Sequence, residues 1–358
     1  MKKILILTTA LTVVGFAAQA EVVVMSWGGA YGQAQTEGHL KPFTAETGIP
    51  TTMVDADNPA TPIKAMVEAN NVTVDVASLE YADAIRLCDE GVLEPIDINA
   101  LPPGDDGTPA KDDFLPGAVT DCGVSTDIWA TVFAYDTTKF TGDNVPKTAA
   151  DFFDLQKFPG KRGLHKSPKA VLEFALMADG VAPADVYATL STPEGVDRAF
   201  KKLDTIKDQV VWWEAGAQAP QLLADGEVVM TTAYNGRIFN AVVAEGKPFK
   251  IVWDSQIYEN EMYAIPKGAP HKDDALKFIA YATSTKGLRQ QAQWISYGPA
   301  RLSSLKDPLV FHDGKTDMGP NMPTAPENMK VSLASDFQFW VDKNAELNDR
   351  FNAWLAGN

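Results

Sequence analysis

The chain has 358 residues, 45% of them hydrophobic and 22% charged, which is enough to bury a large core and predicts two domains rather than one. Its formal net charge is −16, and loss of Lys2 and Lys3 with a leader leaves 29 basic against 47 acidic residues, about −18. A chain this acidic repels phosphate backbones, so nucleic acid is not an expected partner.

Residues 1–20 read as a cleavable export signal, with basic Lys2 and Lys3, an apolar run from Ile4 to about Ala17, and the small-residue pattern Ala18-Gln19-Ala20. The apolar run is shorter than the ~20 residues that span a bilayer. A mature protein beginning at Glu21 and residing in the periplasm is expected. From there strand and helix signals alternate without repeats, an α/β pattern. A strand is expected at 21–25, a helix at 31–47 ended by Gly48, a β-branched strand at 49–54 and a helix at 61–68, with Pro62 in its first turn. A strand at 72–77 and a helix at 82–88, closed by Gly91, follow. The Pro/Gly/Asp-rich stretch 101–116 has no periodicity and is expected to be an exposed loop. The apolar strand 127–135 reads as the crossing into a second lobe. Beyond it come helices at 170–177 and 193–206, a strand at 210–213, a helix at 219–224, a strand at 228–233 and helices at 238–245 and 272–283. In the last of these Ala275, Phe278, Ile279 and Ala282 share one face.

Cys88 and Cys122 are the two cysteines, and in an oxidising compartment they read as one disulfide closing a loop of about 34 residues. Two free buried thiols are the alternative. A metal site is not expected, because no histidine or further cysteine stands at ligand spacing near either.

In open α/β sheets ligands bind beyond the carboxyl ends of strands, so the loops there carry the functional signal. Trp27-Gly28-Gly29-Ala30-Tyr31 follows the first strand, and its glycines allow a tight turn that holds two aromatics together. It reads as an aromatic wall against a ligand, with a purely structural turn as the alternative. A phosphate cradle is disfavoured, since the Lys-Ser/Thr of a P-loop and the dinucleotide spacing are both missing. Trp212-Trp213 ends a strand, where side chains alternate, so the two indoles must face opposite ways. Trp213 is taken as the ligand-facing one, with core packing of both as the alternative. Arg237 stands at the start of a helix, where the N-terminus already favours anions, and suits a bidentate clamp on a carboxylate. Glu261 lies in the aromatic run 258–266, the setting an ammonium group needs.

Catalytic patterns are weak. His39, His165, His271 and His312 are scattered, and neither His-Glu-x-x-His nor Gly-x-Ser-x-Gly occurs. No cofactor fingerprint is present either, so the expected activity is binding rather than catalysis.

Taken together, Ser26-Trp27 with Tyr31, Phe43-Thr-Ala-Glu-Thr-Gly-Ile49, Val74-Asp75-Val-Ala-Ser78, Glu90-Gly-Val-Leu-Glu-Pro-Ile-Asp97 and Trp129-Ala-Thr-Val-Phe-Ala-Tyr135 resemble the periplasmic solute-binding proteins of ABC importers, within the polyamine-binding branch of extracellular solute-binding family 1. Leu223-Ala-Asp-Gly-Glu227, Tyr234-Asn-Gly236, Tyr263-Ala-Ile-Pro266 and the segment around Gln338 extend the resemblance over nearly the whole mature chain. It implies a two-lobed α/β fold of the type II kind, with lobe 1 formed by 21–129 and about 258–303, lobe 2 by about 130–257 and 304–358, and a ligand in the cleft between them. It also implies a monomer that hands a small amine or amino acid to a membrane permease and its ATPase. By position, Trp27 and Tyr31 match the first-lobe aromatics, Tyr234 the second-lobe aromatic, Glu261 the ammonium-binding acid and Gln338 a polar contact from the C-terminal segment.

Two departures refine the ligand. Where polyamine binders carry an acidic pair before the helix at 170–177, this chain has Ser167 and Ala170 with Lys166 alongside, and where some of them have an acid three residues after the second-lobe aromatic it has Arg237. A second ammonium would then face Arg237, whereas a short ω-amino acid satisfies both Arg237 and Glu261. A γ-aminobutyrate-like ligand is therefore expected. A polyamine such as putrescine is the runner-up, and a chemoreceptor-coupled binder or an exported hydrolase are the remaining classes.

Overall fold

The computed structural model describes residues 21–357, so the expected export signal at 1–20 lies outside the described residues. Among the described residues ten strands form one mixed sheet: β1 Val22–Ser26, β2 Thr51–Asp55, β3 Val76–Glu80, β4 Gly123–Asp136, β5 Arg162–His165, β6 Val210–Trp213, β7 Met230–Tyr234, β8 Phe249–Ala264, β9 Gly298–Pro299 and β10 Ser332–Ala334. Their order is β2-β1-β3-β8-β4-β7-β5-β6, with β9 on β4 and β10 on β8. β1 runs parallel to β2 and β3 in the first lobe, and β5 runs parallel to β6 and β7 in the second. The two lobes are joined by β4 and β8, of 14 and 16 residues, each more than twice the usual strand length.

These two strands explain how the lobes meet. The β4–β8 ladder slips register between Ser125 and Asp127 and again between Thr131 and Phe133, and Ser255 of β8 sits in the left-handed region at φ 62°. Irregular pairing of this kind bends and twists a strand pair where it occurs. Residues 261–264 of β8 pair with β3, while residues 249–252 pair with the second-lobe end of β4. The same two strands thus leave one lobe and enter the other.

Each lobe has its own core. Val22, Val24, Phe43, Val76, Tyr263 and Phe278 fill the first, and Phe133, Phe152, Leu172, Phe174, Trp340 and Phe351 the second. The second-lobe helix Pro193–Asp204 shows how sequence makes such a face: Thr192 accepts from the Gly195 amide, Pro193 occupies the first turn, and Val196, Ala199, Phe200 and Leu203 are buried at helical spacing. Cys88, on the helix Tyr81–Asp89, is bonded to Cys122 just before β4, as the cysteine count suggested. In the loop-entropy picture this closure is worth about 3 to 4 kcal/mol.

Three expectations shift. The helix expected at 31–47 forms as Gly29–Gln35 and Lys41–Thr47 joined by a single π turn, Thr36–Leu40. The strand expected at 72–77 forms further along as β3, which places Glu80 rather than Ala77 at its carboxyl end. The stretch 101–116 is only partly exposed: Leu101, Ala110 and Phe114 are buried, and Asp113 pairs with the fully buried Arg301 at 3.1 Å. That ion pair anchors a segment whose composition alone reads as free loop. Among the described residues no helix is long and apolar enough to cross a membrane.

Candidate ligand-binding site

Between the lobes lies a cleft of about 720 Å³. Its wall on the first lobe comes from the Trp27-Gly28-Gly29 loop after β1, Asp55 at the end of β2 and Glu80 at the end of β3; His165, Ser167, Lys169, Tyr234 and Arg237 supply the second lobe. At the inner end the walls converge on a chamber lined by five aromatics, Trp27, Tyr31, Trp129, Tyr234 and Tyr297, with Glu80, Glu261 and Arg237 the charged groups among them. Trp129 meets Tyr234 edge-on at 5.0 Å, and Tyr31 lies 5.4 Å from Tyr297. Such edge and tilted contacts stiffen an aromatic cage.

Glu261 accepts a hydrogen bond of 2.7 Å from Trp27 Nε1 and another of 2.7 Å from Ser78 Oγ. Its carboxyl is nevertheless pushed well above the ordinary carboxylate range, first by burial and then by the nearby charge of Asp127. Asp127 lies beneath the chamber, where Tyr31 Oη donates to Oδ2 at 2.9 Å, Gln291 Nε2 at 2.7 Å and Thr126 Oγ1 at 3.0 Å. Burial outweighs these three donors and raises Asp127 to about 7, while its Oδ1 has no partner. The inner end is therefore rich in acid that an incoming cation would stabilise.

Arg237 comes from the first turn of the helix Asn235–Val243 and crosses to the opposite lobe. Its Nη1 donates to the Gly28 carbonyl at 2.9 Å and Nη2 to the Trp27 carbonyl at 3.3 Å, whereas Nε is buried without a partner. Its partners are carbonyl dipoles, so among the described residues no carboxylate in direct contact neutralises the guanidinium charge. The Trp129 indole N–H is also buried and unpaired. Gly29 makes the arginine's seat possible: its φ is +57°, and a Cβ there would collide with Arg237 Nη1.

Further out, Lys169 Nζ lies 2.6 Å from Glu80 Oε2 and 2.8 Å from Glu259 Oε2. Burial would lower its pKa, but the two carboxylates more than reverse this and hold it well above the ordinary lysine value. His165 stacks on Trp213 with centroids 4.4 Å apart, and burial lowers it to about 4, so it is a neutral part of the wall at neutral pH.

A family model of bacterial extracellular solute-binding proteins matches residues 39–324. The chain belongs to this family. The solute-binding protein is 43% identical over 344 residues to a γ-aminobutyric acid-binding protein of Pseudomonas aeruginosa, which covers 95% of this chain and 93% of that one. It is 26% identical over 287 residues to the spermidine/putrescine-binding periplasmic protein of Escherichia coli, covering 77% and 78%. Among solved structures, a GABA receptor is 34% identical with a TM-score of 0.78, covering 94% of this chain and 98% of that one. The two-lobed fold implied by the resemblance is thus borne out.

Of the residues singled out from the sequence of this solute-binding protein, Trp27, Tyr31, Tyr234, Arg237 and Glu261 come together in the inner chamber. Ser167 lines only the outer cleft, where its Oγ accepts from the Lys169 amide at 3.3 Å. Trp213 does not face the cleft. It is 1% exposed and packs behind His165 and Tyr234, while Trp212 turns to Phe351 and Trp354. Gln338 does not reach the cleft either: it is exposed on the helix Phe337–Ala356 and donates to Asp342 at 3.1 Å. Trp340, Val341, Asn344 and Asn348 of that helix line the cleft, and two residues of helix turn Gln338 about 200° away from Trp340.

Sequence reasoning missed Trp129, Tyr297, Glu80, Asp127, Lys169 and Glu259. Glu80 carries a usable signal, an acid closing an apolar run, but it lies beyond the strand expected at 72–77 and closes the one that forms at Val76–Glu80. Lys166, next to Ser167 in sequence, pairs with Glu214 at the exposed rim, and Lys169 is the lysine that enters the cleft.

Proposed function

We propose that this protein is the substrate-binding subunit of an ABC importer that captures γ-aminobutyrate, or a closely similar short ω-amino acid, in the periplasm. The observation that carries the reading is the chamber itself, one apolar cage that holds Glu261 and the un-neutralised Arg237 together. The ligand's methylene chain lies against the aromatics and its ammonium goes to Glu261, backed by Glu80 and by cation–π attraction. Its carboxylate goes to Arg237, where charge-assisted hydrogen bonds act in a low-dielectric site. The name of the 43% identical relative supports the same ligand.

The lobes, divided as 21–129 with about 258–303 and about 130–257 with 304–358, close on the ligand by bending at β4 and β8. Arg237 helps hold closure through the Trp27-Gly28 carbonyls. The closed monomer, exported by the signal at 1–20, then presents the ligand to a membrane permease and its ATPase. No catalytic step is proposed.

A polyamine is the second reading, favoured by the acidic lining of the cleft, Glu80, Glu259 and Glu261 among it, and by the 26% identical polyamine binder. Calorimetric titration of the purified protein separates the two. Saturable binding of γ-aminobutyrate with putrescine at least tenfold weaker is the expected result, and the reverse ranking overturns the proposal.

A further inference from the structure

The outer part of the cleft contains a second position suited to an ammonium group, and the chain itself fills it. Glu259 and Glu261 are two residues apart on β8, in continuous register with Trp129 and Asp127 of β4, so their side chains leave the same face of the strand. Their backbone positions are separated by roughly 7 Å along the strand. Glu80 lines both the chamber and the outer cleft, and its charge acts on both acids. These three carboxylates make two neighbouring cation positions, one at Glu261 within the aromatics and one between Glu80 and Glu259. The second is held by Lys169 Nζ, at 2.6 and 2.8 Å. Lys169 is aimed there by an unusual turn: the next residue, Ala170, takes the left-handed conformation at φ 64° although it is not glycine.

We infer that Lys169 is a tethered ammonium that occupies the second cation position and thereby restricts the site to ligands bearing a single ammonium group. This rests on reading the inner chamber as the first ammonium position. An α,ω-diamine that placed one end at Glu261 and turned the other from Arg237 toward the remaining carboxylates, Glu80 and Glu259, would bring that end against Lys169. There it meets a like charge in a buried setting and carboxylates that are already paired. A tethered group also competes at an effective concentration of millimolar or more, which a free ligand rarely matches. Discrimination then comes from a repulsive element built into the cleft as well as from the attraction of Arg237 for a carboxylate.

The test is calorimetric titration of putrescine into the full-length mature protein and into Lys169→Met, in one buffer. Lys169→Met is expected to bind putrescine roughly 30-fold or more tightly than the unsubstituted protein does. Lys169→Arg, which keeps the charge, should still exclude it, and adding Glu259→Gln to Lys169→Met should remove the gain. Removing Lys169 leaves Glu80 and Glu259 uncompensated, so Lys169→Gln, which can still donate to them, carries the same comparison if the methionine variant does not fold. Unchanged putrescine affinity in folded Lys169→Met or Lys169→Gln overturns the inference. So does loss of γ-aminobutyrate binding without any gain for putrescine, which would make Lys169 a clamp or a closure contact. Failure of the unsubstituted protein to bind γ-aminobutyrate would sink the proposed ligand but leave the putrescine comparison decisive.

Discussion

Two of the cations that line the cleft, Lys169 and Arg237, come from the same lobe, and their neighbours give them opposite parts. Lys169 touches two carboxylates, and its charge is matched within the protein. Arg237 touches only the carbonyls of Trp27 and Gly28 and keeps a buried, unpaired Nε. The acids divide the same way: Glu259 has a cation beside it, whereas Glu261 and Asp127 at the inner end meet only neutral donors. A charged residue in a cleft is therefore not a ligand group by virtue of its charge. It becomes one when the fold leaves that charge without a charged partner, because a ligand can then supply the missing interaction.

Replacing Arg237 tests this difference most severely. Arg237→Ala should weaken binding of a carboxylate-bearing ligand by about 2 to 5 kcal/mol, which is thirtyfold to several thousandfold in Kd. An amine without a carboxylate should lose far less. Equal loss for both ligands, measured by calorimetry, would place the role of Arg237 in closure rather than in recognition. The next effect should appear in stability. Asp127 is raised to about 7 by burial from an ordinary 3.8, so its contribution to stability is present below pH 4 and is lost as pH rises through 7. Asp127→Asn cannot ionise and should escape that loss. Its stability relative to the unsubstituted protein should rise by about 2 to 3 kcal/mol between pH 5 and pH 8. A pH-independent difference in melting temperature would show that the inner acid is not held protonated.

Trp27→Phe probes the inner end more gently. It keeps an aromatic face and removes the indole N–H that donates to Glu261 at 2.7 Å. A loss of about 1 to 2 kcal/mol in ligand affinity is expected, carried by the dissociation rate. No loss would mean that the indole serves only as a wall.

How far the site could be read from sequence follows from how local each feature is. Trp27, Tyr31 and Arg237 stand in a loop or first helical turns just after short strands, and Tyr234 closes one, so strand ends alone point to them. Trp129 stands inside a strand buried along its whole length, where nothing in the pattern separates a cleft wall from core. Lys169 and Glu80 come from different lobes and become a pair only through the order β3-β8-β4-β7-β5, which no local signal encodes. β8 hides itself for a related reason. It is central in the sheet, yet in place of a continuous apolar run it carries Glu259 and Glu261, which line the cleft, and Asp254, Gln256 and Asn260, which hydrogen-bond to neighbouring segments. Gln338 turns on helix phase: position in the C-terminal segment does not say which face of the helix Phe337–Ala356 a residue occupies, and two residues carry a side chain to the opposite face.

Ser167→Ala is the smallest perturbation and examines the outer end by itself. Ser167 lines the cleft beside Lys169, but its one hydrogen bond, from the Lys169 amide, is long at 3.3 Å, and its side chain is partly solvated. Removing a weak, solvent-accessible hydrogen bond changes stability by less than about 0.5 kcal/mol. Affinity for a single-ammonium ligand should change less than about threefold, because that ligand ends at Arg237 and does not extend to the Lys169 turn. A tenfold loss of γ-aminobutyrate affinity would show that the bound ligand reaches the outer cations. Arg237 and Lys169 would then share the carboxylate, and the division between an open and a satisfied cation would have to be given up.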